Sequence, residues 1–137
     1  MDFCYPFKVR FSDTDSYGIV HHSRYYCYFE EARYAFARSV DTVKHMPQGV
    51  DVRFPVLTSS CEYRKPLLYD DRTVFVKLSC HIECDCKIEF SYAVIDEKGT
   101  VYAKGKTSHV VTENGETCFV LPAWLTALAE KVLKDNK

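Results

Sequence analysis

The chain has 137 residues with a formal net charge of −1, and 47% of them are hydrophobic, 15% aromatic, 5 glycine and 5 proline. This composition argues against a disordered polypeptide, and the length predicts a single domain over residues 1–137 that can build its own core. The near-neutral charge argues against a protein that binds nucleic acid or anionic lipid through general electrostatics.

The first elements are a strand, a loop and a long helix. Alternating aromatic and charged residues predict a β-strand over residues 3–11. Residues 12–22 are rich in Asp, Ser and Gly, which is typical of a loop. From Ser23 to about residue 41 the apolar period becomes three and four, which predicts an amphipathic helix. Its apolar stripe comprises Tyr25, Phe29, Ala32 and Phe36 beside Tyr26 and Val40, and its outer face comprises Arg24, Tyr28, Glu31, Ala35 and Arg38. Glu30 and Arg33 are spaced to pair on the helix surface.

Four further strands are predicted over residues 52–64, 72–82, 87–95 and 100–112, with a hairpin loop at residues 96–99. Pro55 indicates a sheet edge or a bulge. Pro122 fits the first turn of a short C-terminal helix with an apolar face. The order predicts an α+β fold in which one long helix packs against a curved five-stranded antiparallel sheet. A second copy of the chain is a natural cover for an open sheet edge.

The segment DTDSYGIVHHSRYYCYFEEAR, between the first strand and the helix, carries a recognisable pattern. D-x-D-x-x-G-x-V-x-H-x-x-Y is met at Asp13, Asp15, Gly18, Val20, His22 and Tyr25, and E-x-A-R at Glu30, Ala32 and Arg33. The segment FPVLTSSCEYRKPLLYDD adds Tyr63, Pro66, Asp70 and Asp71. With these motifs, nearly the whole chain resembles the hotdog-fold acyl-CoA thioesterases, in the branch of the 4-hydroxybenzoyl-CoA thioesterases and the YbgC-like proteins.

The resemblance implies a sheet wrapped around the long helix, a homodimer or homotetramer with shared sites, and hydrolysis of an aromatic or aliphatic acyl-CoA without a cofactor. In this branch the second aspartate of the pair is the catalytic carboxylate, which falls on Asp15, and the histidine of the pattern falls on His22. The start of the helix supplies backbone N–H groups to the thioester oxygen. Substrate contacts are expected at Gly18, Val20, Ser23, Tyr25 and Tyr26.

The residue types suit this chemistry. A helix N-terminus carries unpaired N–H donors and partial positive charge, so the amides near His22 and Ser23 are candidates for an oxyanion hole. The same field favours an ionised Asp15, which can act as a base or as a nucleophile. Gly18 allows a sharp turn. Asp13 is expected to brace the loop through hydrogen bonds, and His21 is expected to be an exposed neighbour.

Three other functions fit the same fold: a non-catalytic acyl-binding dimer, a thioesterase for acyl-carrier-protein substrates, and a hydratase or dehydratase. Intact Asp15 and His22 argue against the first. The hydratases place their acid–base pair differently on the helix, and no matching set is evident here. Candidate contacts for the phosphates of coenzyme A are Arg64, Lys65, Lys87, Lys104 and Lys106, although solvated surface charge is the simpler role for each.

The seven cysteines are expected to be reduced thiols of a cytoplasmic protein. The N-terminal residues show no signal-peptide pattern, and no apolar run is long enough for a membrane span. Cys80, His81, Cys84 and Cys86 match no usual zinc spacing, so no metal is expected. Cys61 is not expected to be a nucleophile, because no base is paired with it by sequence.

Overall fold

The polypeptide forms helices and two antiparallel sheets across residues 2–134, the part of the chain that the structure, a computed structural model, describes. The N-terminal part comprises β1 (Asp2–Lys8), a 3-10 turn (Phe11–Asp13), α1 (Arg24–Ser39) and α2 (Thr42–His45). The remaining elements are β2 (Val52–Arg53), β3 (Val56–Tyr63), β4 (Thr73–Glu83), β5 (Lys87–Ile95), β6 (Val101–His109), β7 (Val111–Glu113), β8 (Glu116–Cys118) and α3 (Ala123–Lys134).

The larger sheet has five strands in the order β1-β4-β5-β6-β3, and every neighbouring pair is antiparallel. This arrangement leaves β1 and β3 at the two edges. The prediction that Pro55 marks an edge or a bulge is confirmed, because β3 follows it at the edge and its register shifts between Val56 and Thr58. The hairpin predicted at residues 96–99 is also confirmed: the Gly99 N–H donates to the Asp96 carbonyl.

Two of the predicted strands are divided. The run over residues 52–64 becomes β2 and β3, and the run over residues 100–112 becomes β6 and β7, with β2, β7 and β8 forming a small second sheet. The break lies at Pro55, which has no N–H for a ladder hydrogen bond. The Pro55 carbonyl instead accepts the N–H of Val110 at 3.3 Å, and Val110 lies between β6 and β7.

The main core lies between α1 and the five-stranded sheet. Its helix side consists of Tyr25, Tyr28, Phe29, Ala32 and Phe36, and its sheet side includes Val74, Val76, Leu78, Tyr92, Val94 and Ala103. Phe29 is fully buried and stacks on Tyr92, with ring centroids 4.3 Å apart. Gly105 provides the space for this ring, because a Cβ atom there would lie 2.7 Å from Phe29 Cζ. The α+β prediction of one long helix against a five-stranded antiparallel sheet is therefore confirmed.

Two details of the helix prediction are wrong. Tyr28, assigned to the outer face, is only 1% exposed, because its ring packs 4.3 Å from that of Phe7 on β1 and its hydroxyl group bonds to Asp13. Glu30 and Arg33 do not pair within the described residues, because Arg33 instead donates to the Tyr92 hydroxyl group at 3.0 Å. The first strand is also shorter than predicted, since residues 11–13 form the 3-10 turn.

The helix α3 closes one end of the molecule. Leu121 and Leu125 pack with Ile88 and Val111 in a second apolar cluster, which Trp124 flanks. The predicted C-terminal helix is therefore confirmed, with Pro122 directly before its first residue. None of the helices within residues 2–134 combines the length and the apolar character that crossing a bilayer requires.

Candidate active site

The segment between the 3-10 turn and α1 forms a small hairpin. Thr14 and Val20 make an antiparallel bridge, and the Asp15 N–H donates to the Ile19 carbonyl at 2.9 Å. The turn is closed by the Gly18 N–H, which donates to the Asp15 carbonyl at 3.0 Å. Gly18 has φ +78°, a left-handed conformation that glycine adopts without the strain a Cβ would cause. The sharp turn predicted at Gly18 is therefore present.

Asp15 is half-buried at the first corner of this hairpin. Its Oδ1 accepts the backbone N–H of Tyr17 at 2.8 Å, the geometry of an Asx turn. Within residues 2–134 its other oxygen, Oδ2, has no hydrogen-bond or ion-pair partner, so one oxygen of the carboxylate orients the turn and the other is left available.

Asp13 fastens the hairpin to the rest of the molecule. Its carboxylate is 2% exposed and accepts the Tyr28 hydroxyl group at 2.8 Å and the Arg10 N–H at 3.0 Å. Its backbone carbonyl accepts the N–H of His21 at 2.8 Å. Burial, together with the hydrogen bond to this carboxylate, raises the pKa of Tyr28 far above its ordinary value, so Tyr28 remains a donor. The structure thus shows Asp13 as the brace that the loop chemistry predicted.

The start of α1 is not capped by a side chain. Ser23 occupies the N-cap position with helical φ and ψ, and its hydroxyl group lies 2.8 Å from His21 Nδ1 instead of bonding to the helix. The Ser23 N–H also contacts His21 Nδ1, at 3.3 Å. The His22 N–H has no acceptor within the described part of the chain. Of the two backbone amides predicted to hold an oxyanion, the one at His22 is free and the one at Ser23 is already engaged.

Tyr63, the last residue of β3, joins the sheet to this helix start. Its hydroxyl group donates to the His22 carbonyl at 2.9 Å, and its ring packs edge-on against those of His22 and Tyr25, at 6.4 and 5.0 Å. Burial raises the pKa of Tyr25 to about 12 and also raises that of Tyr63, so both hydroxyl groups stay protonated near neutral pH. Sequence reasoning placed Tyr63 in the family pattern without connecting it to the site.

The residues predicted to contact substrate differ in accessibility. Gly18, Ser23 and Tyr26 are exposed, as is the predicted catalytic residue His22, whereas Val20 and Tyr25 are 4% and 3% exposed and belong to the core. Val20 also ties the hairpin to the chain after β3, because its N–H donates to the Leu67 carbonyl at 2.9 Å. His21, expected to be exposed, is half-buried against Ser23.

The cysteines show no metal-binding arrangement in the part of the chain that is described, where no three His, Cys, Asp or Glu side chains converge. All seven are unpaired thiols. Cys80 packs against the core, and burial raises the pKa of its thiol to about 12. His81 lies 3.7 Å from Glu89 instead of joining the nearby cysteines.

The basic residues considered for the phosphates of coenzyme A do not form a cluster on one element. Arg64 contacts Glu62 at 3.4 Å. Lys104 and Lys106 lie on β6, and Lys87 lies at the start of β5. All are exposed, as expected of surface charge.

Known proteins share this architecture. Residues 9–132 match the model of the thioesterase-like superfamily. An Aquifex aeolicus protein of solved structure is 38% identical, with a TM-score of 0.79 over 92% of this chain and 98% of that one. The structure of a gentisyl-coenzyme A thioesterase is 26% identical, with a TM-score of 0.73 over 92% and 98% of the two chains. The acyl-CoA thioesterase YbgC of Haemophilus influenzae is 33% identical over 50% of this chain and 52% of its own. The chain belongs to the thioesterase-like superfamily and has its hotdog fold.

Proposed function

We propose that this protein hydrolyses acyl-CoA thioesters, releasing a carboxylic acid and coenzyme A. The observation that carries the proposal is that the braced hairpin bearing the half-buried carboxylate of Asp15 leads directly into a helix start that no side chain caps. Family membership supports thioester hydrolysis, and acyl-CoA substrates are named for YbgC of Haemophilus influenzae and for the gentisyl-coenzyme A enzyme. The acyl group is aromatic or aliphatic, and a protein-bound acyl carrier is an alternative substrate.

In the proposed reaction the thioester oxygen lies at the start of α1 and accepts the free His22 N–H. One such fixed donor lowers the activation free energy by on the order of 3 kcal/mol. The Tyr63 hydroxyl group donates a hydrogen bond to the carbonyl of His22, and this bond fixes the orientation of His22. Neighbouring helix amides and the partial positive charge at the helix start add to this stabilisation.

Asp15 is the proposed catalytic carboxylate, acting through Oδ2. As a base it removes a proton from water, whose oxygen then attacks the thioester carbon. As a nucleophile it attacks that carbon directly, and water later hydrolyses the resulting anhydride. In both routes the carbon–sulfur bond breaks and the thiolate of coenzyme A leaves and takes up a proton. His22 is proposed to orient the thioester or water, or to deliver this proton.

A homodimer with shared sites is part of the proposal, and a homotetramer is its extension. The edge strand β3 supports this, because seven of its eight residues are exposed and Val56 and Leu57 are apolar. An unpaired edge of this kind is normally protected or paired. The same strand ends at Tyr63, beside the proposed site, so a second copy on this edge would lie next to the start of α1. A cytoplasmic location is proposed with it.

The test follows the release of free thiol from a panel of aromatic and aliphatic acyl-CoAs. Asp15→Asn is the informative variant, because the Asn side-chain oxygen can still accept the Tyr17 N–H and preserve the turn. We expect a loss of turnover of roughly 100-fold or more. Asp85→Asn, in the exposed turn between β4 and β5, is the matched control and keeps parental activity.

Turnover of Asp15→Asn at the parental rate would refute the role of Asp15. A parent protein that binds acyl-CoA without releasing thiol would favour the non-catalytic alternative. Sedimentation equilibrium tests the assembly: a dimer or tetramer is expected, and a stable monomer at assay concentration contradicts a shared site.

A further inference from the structure

A groove of about 870 Å³ lies between α1 and α3, and residues of the larger sheet also line it. Along α1 its lining extends from Cys27 to Val40, which corresponds to about 20 Å of helix. Apolar side chains from both helices and from β5 form most of this α1–α3 groove, including Phe36, Phe90, Leu125, Leu128 and Ala129. Neither Asp15 nor His22 lines it, so it is separate from the proposed reaction site.

Arg33 is a half-buried cation in this groove. Within residues 2–134 no carboxylate lies within 4.0 Å of its guanidinium group, and its hydrogen bond goes to the neutral hydroxyl group of Tyr92. Of the other two lining arginines, Arg10 contacts Glu31 at 3.4 Å, and Arg38 is exposed to solvent with its guanidinium group 5.9 Å from the ring centre of Tyr34. Arg33 is therefore the half-buried lining arginine that retains unused donors and has no carboxylate partner among the described residues.

A directional chain of hydrogen bonds holds Arg33 in place. The Phe54 carbonyl can only accept, so the contact with His109 Nδ1 at 3.1 Å puts the proton on that nitrogen. Neutral His109 then accepts through Nε2 from Thr107, at 2.8 Å. The Thr107 oxygen in turn accepts from Tyr92 at 2.6 Å, and Tyr92 accepts from Arg33.

This chain of hydrogen bonds supplies no negative charge to Arg33. Burial raises the pKa of Tyr92, so its hydroxyl group stays protonated. Burial lowers the pKa of His109; the hydrogen bond to Phe54 opposes this effect, and the nearby charge of Arg33 adds a smaller lowering. Thr107 and His109 are each 2% exposed, so the network fixes the geometry of Arg33 without neutralising it.

We propose that the α1–α3 groove binds a long-chain carboxylic acid, with the carboxylate on Arg33 and the alkyl chain between the two helices. The apolar lining selects an alkyl chain, and the uncompensated guanidinium selects an anionic head group that it can contact through two N–H donors. The groove volume lies within the range of small-molecule sites. A carboxylic acid is also the product of the proposed hydrolysis, so the test must separate the groove from the reaction site.

Trp124 provides the signal for this test. It is the single tryptophan of the chain, it lies on α3 beside the groove residue Leu125, and its indole N–H is buried without an acceptor among the described residues. Titration of the full-length protein with sodium dodecanoate, below its micelle concentration, is expected to change the Trp124 fluorescence saturably. Calorimetry measures the same affinity independently. Dodecan-1-ol, the neutral probe of equal chain length, is expected to bind at least tenfold more weakly.

Variants locate the site. Arg33→Gln is expected to weaken dodecanoate binding at least tenfold, and Arg24→Gln, on the same helix but outside the lining of the groove, to leave it unchanged. Leu128→Glu places a carboxylate in the groove and should weaken dodecanoate binding similarly. This variant serves as the test if Arg33→Gln does not fold. Asp15→Asn should bind dodecanoate like the parent, whatever its effect on thioester hydrolysis.

Parental affinity in both Arg33→Gln and Leu128→Glu, equal binding of acid and alcohol, or no saturable binding overturns the proposal. Loss of binding in Asp15→Asn would place the acid at the reaction site and also overturns it. Sedimentation supplies the last check: dissociation of an oligomer by Arg33→Gln, without dodecanoate binding to the parent, would assign Arg33 to a contact with a second copy.

Discussion

Replacing Tyr28 by phenylalanine tests whether the Asp13 brace holds the hairpin at the proposed site. The substitution removes one oxygen and keeps the ring that packs 4.3 Å from Phe7. Asp13 then loses the 2.8 Å hydrogen bond from Tyr28 while its carboxylate stays 2% exposed. A hydrogen bond to a buried charged group contributes roughly 1.5–3 kcal/mol, so we expect the free energy of unfolding to fall by about 2 kcal/mol. For a chain of this length that corresponds to a decrease in Tm of roughly 7 °C.

Urea unfolding and thermal scans measure the effect, with Tyr34→Phe as the matched control. Tyr34 lies on the same helix but is 66% exposed, so its hydroxyl group should contribute less than about 0.5 kcal/mol. A double-mutant cycle with Asp13→Ala isolates the contact, and a coupling energy of about 1 kcal/mol or more is expected. If Tyr28→Phe costs no more than Tyr34→Phe, the carboxylate–hydroxyl contact does not stabilise the hairpin and this reasoning is wrong.

Two further predictions concern the core. Gly105→Ala should lower the free energy of unfolding by roughly 1–3 kcal/mol in urea titrations, because the new Cβ would lie 2.7 Å from Phe29 Cζ and 2.9 Å from the Ser60 carbonyl oxygen; an unchanged midpoint would contradict this packing. Burial lowers the pKa of His109 in the folded state below its ordinary value of about 6.5. Below that pH the unfolded chain therefore binds more protons at this side chain than the folded chain does. The free energy of unfolding should then fall as the pH drops below about 6.5, by at most ~1.4 kcal/mol per pH unit. Urea unfolding at several pH values should show a shallower dependence in His109→Gln, whereas equal slopes would exclude His109 as the source.

Local patterns predicted most of the fold because burial of one face imposes them directly. Val74, Val76 and Leu78 alternate along β4 and point to the core, and the spacing of Phe29, Ala32 and Phe36 follows the buried side of α1. The edge position of β3 could be predicted from Pro55, because proline has no N–H and is therefore restricted to sheet edges and bulges. These features depend on residues close together in the chain.

The errors arise where distant segments meet. The helical period puts Tyr28 near the boundary between the two faces of α1, and only the approach of β1 and of Asp13, 15 residues earlier, buries it. The pairing of Arg33 with Tyr92 spans 59 residues, so the local spacing to Glu30 gave a misleading expectation. Interactions at such separations leave no periodic signal in the sequence.

The candidate site was predictable to the extent that it consists of turn chemistry. An aspartate three residues before a glycine indicates a tight turn, and the structure has Asp15 and Gly18 in one. The engagement of the Ser23 amide by His21 was not predictable, because it depends on the orientation of an imidazole ring. The contact of Tyr63 with His22 joins residues 41 positions apart and also required the fold.

The pairing scheme of the strands has a consequence for synthesis of the chain. The three strands that precede β4 do not pair with one another: β1 pairs with β4, β2 with β7, and β3 with β6. A nascent polypeptide that has emerged only as far as residue 72 therefore cannot form any of these ladders, and the aromatic side of α1 has no sheet to cover it. Formation of the sheet must await translation of the second half, which leaves the apolar side chains of the emerging first half without their native cover.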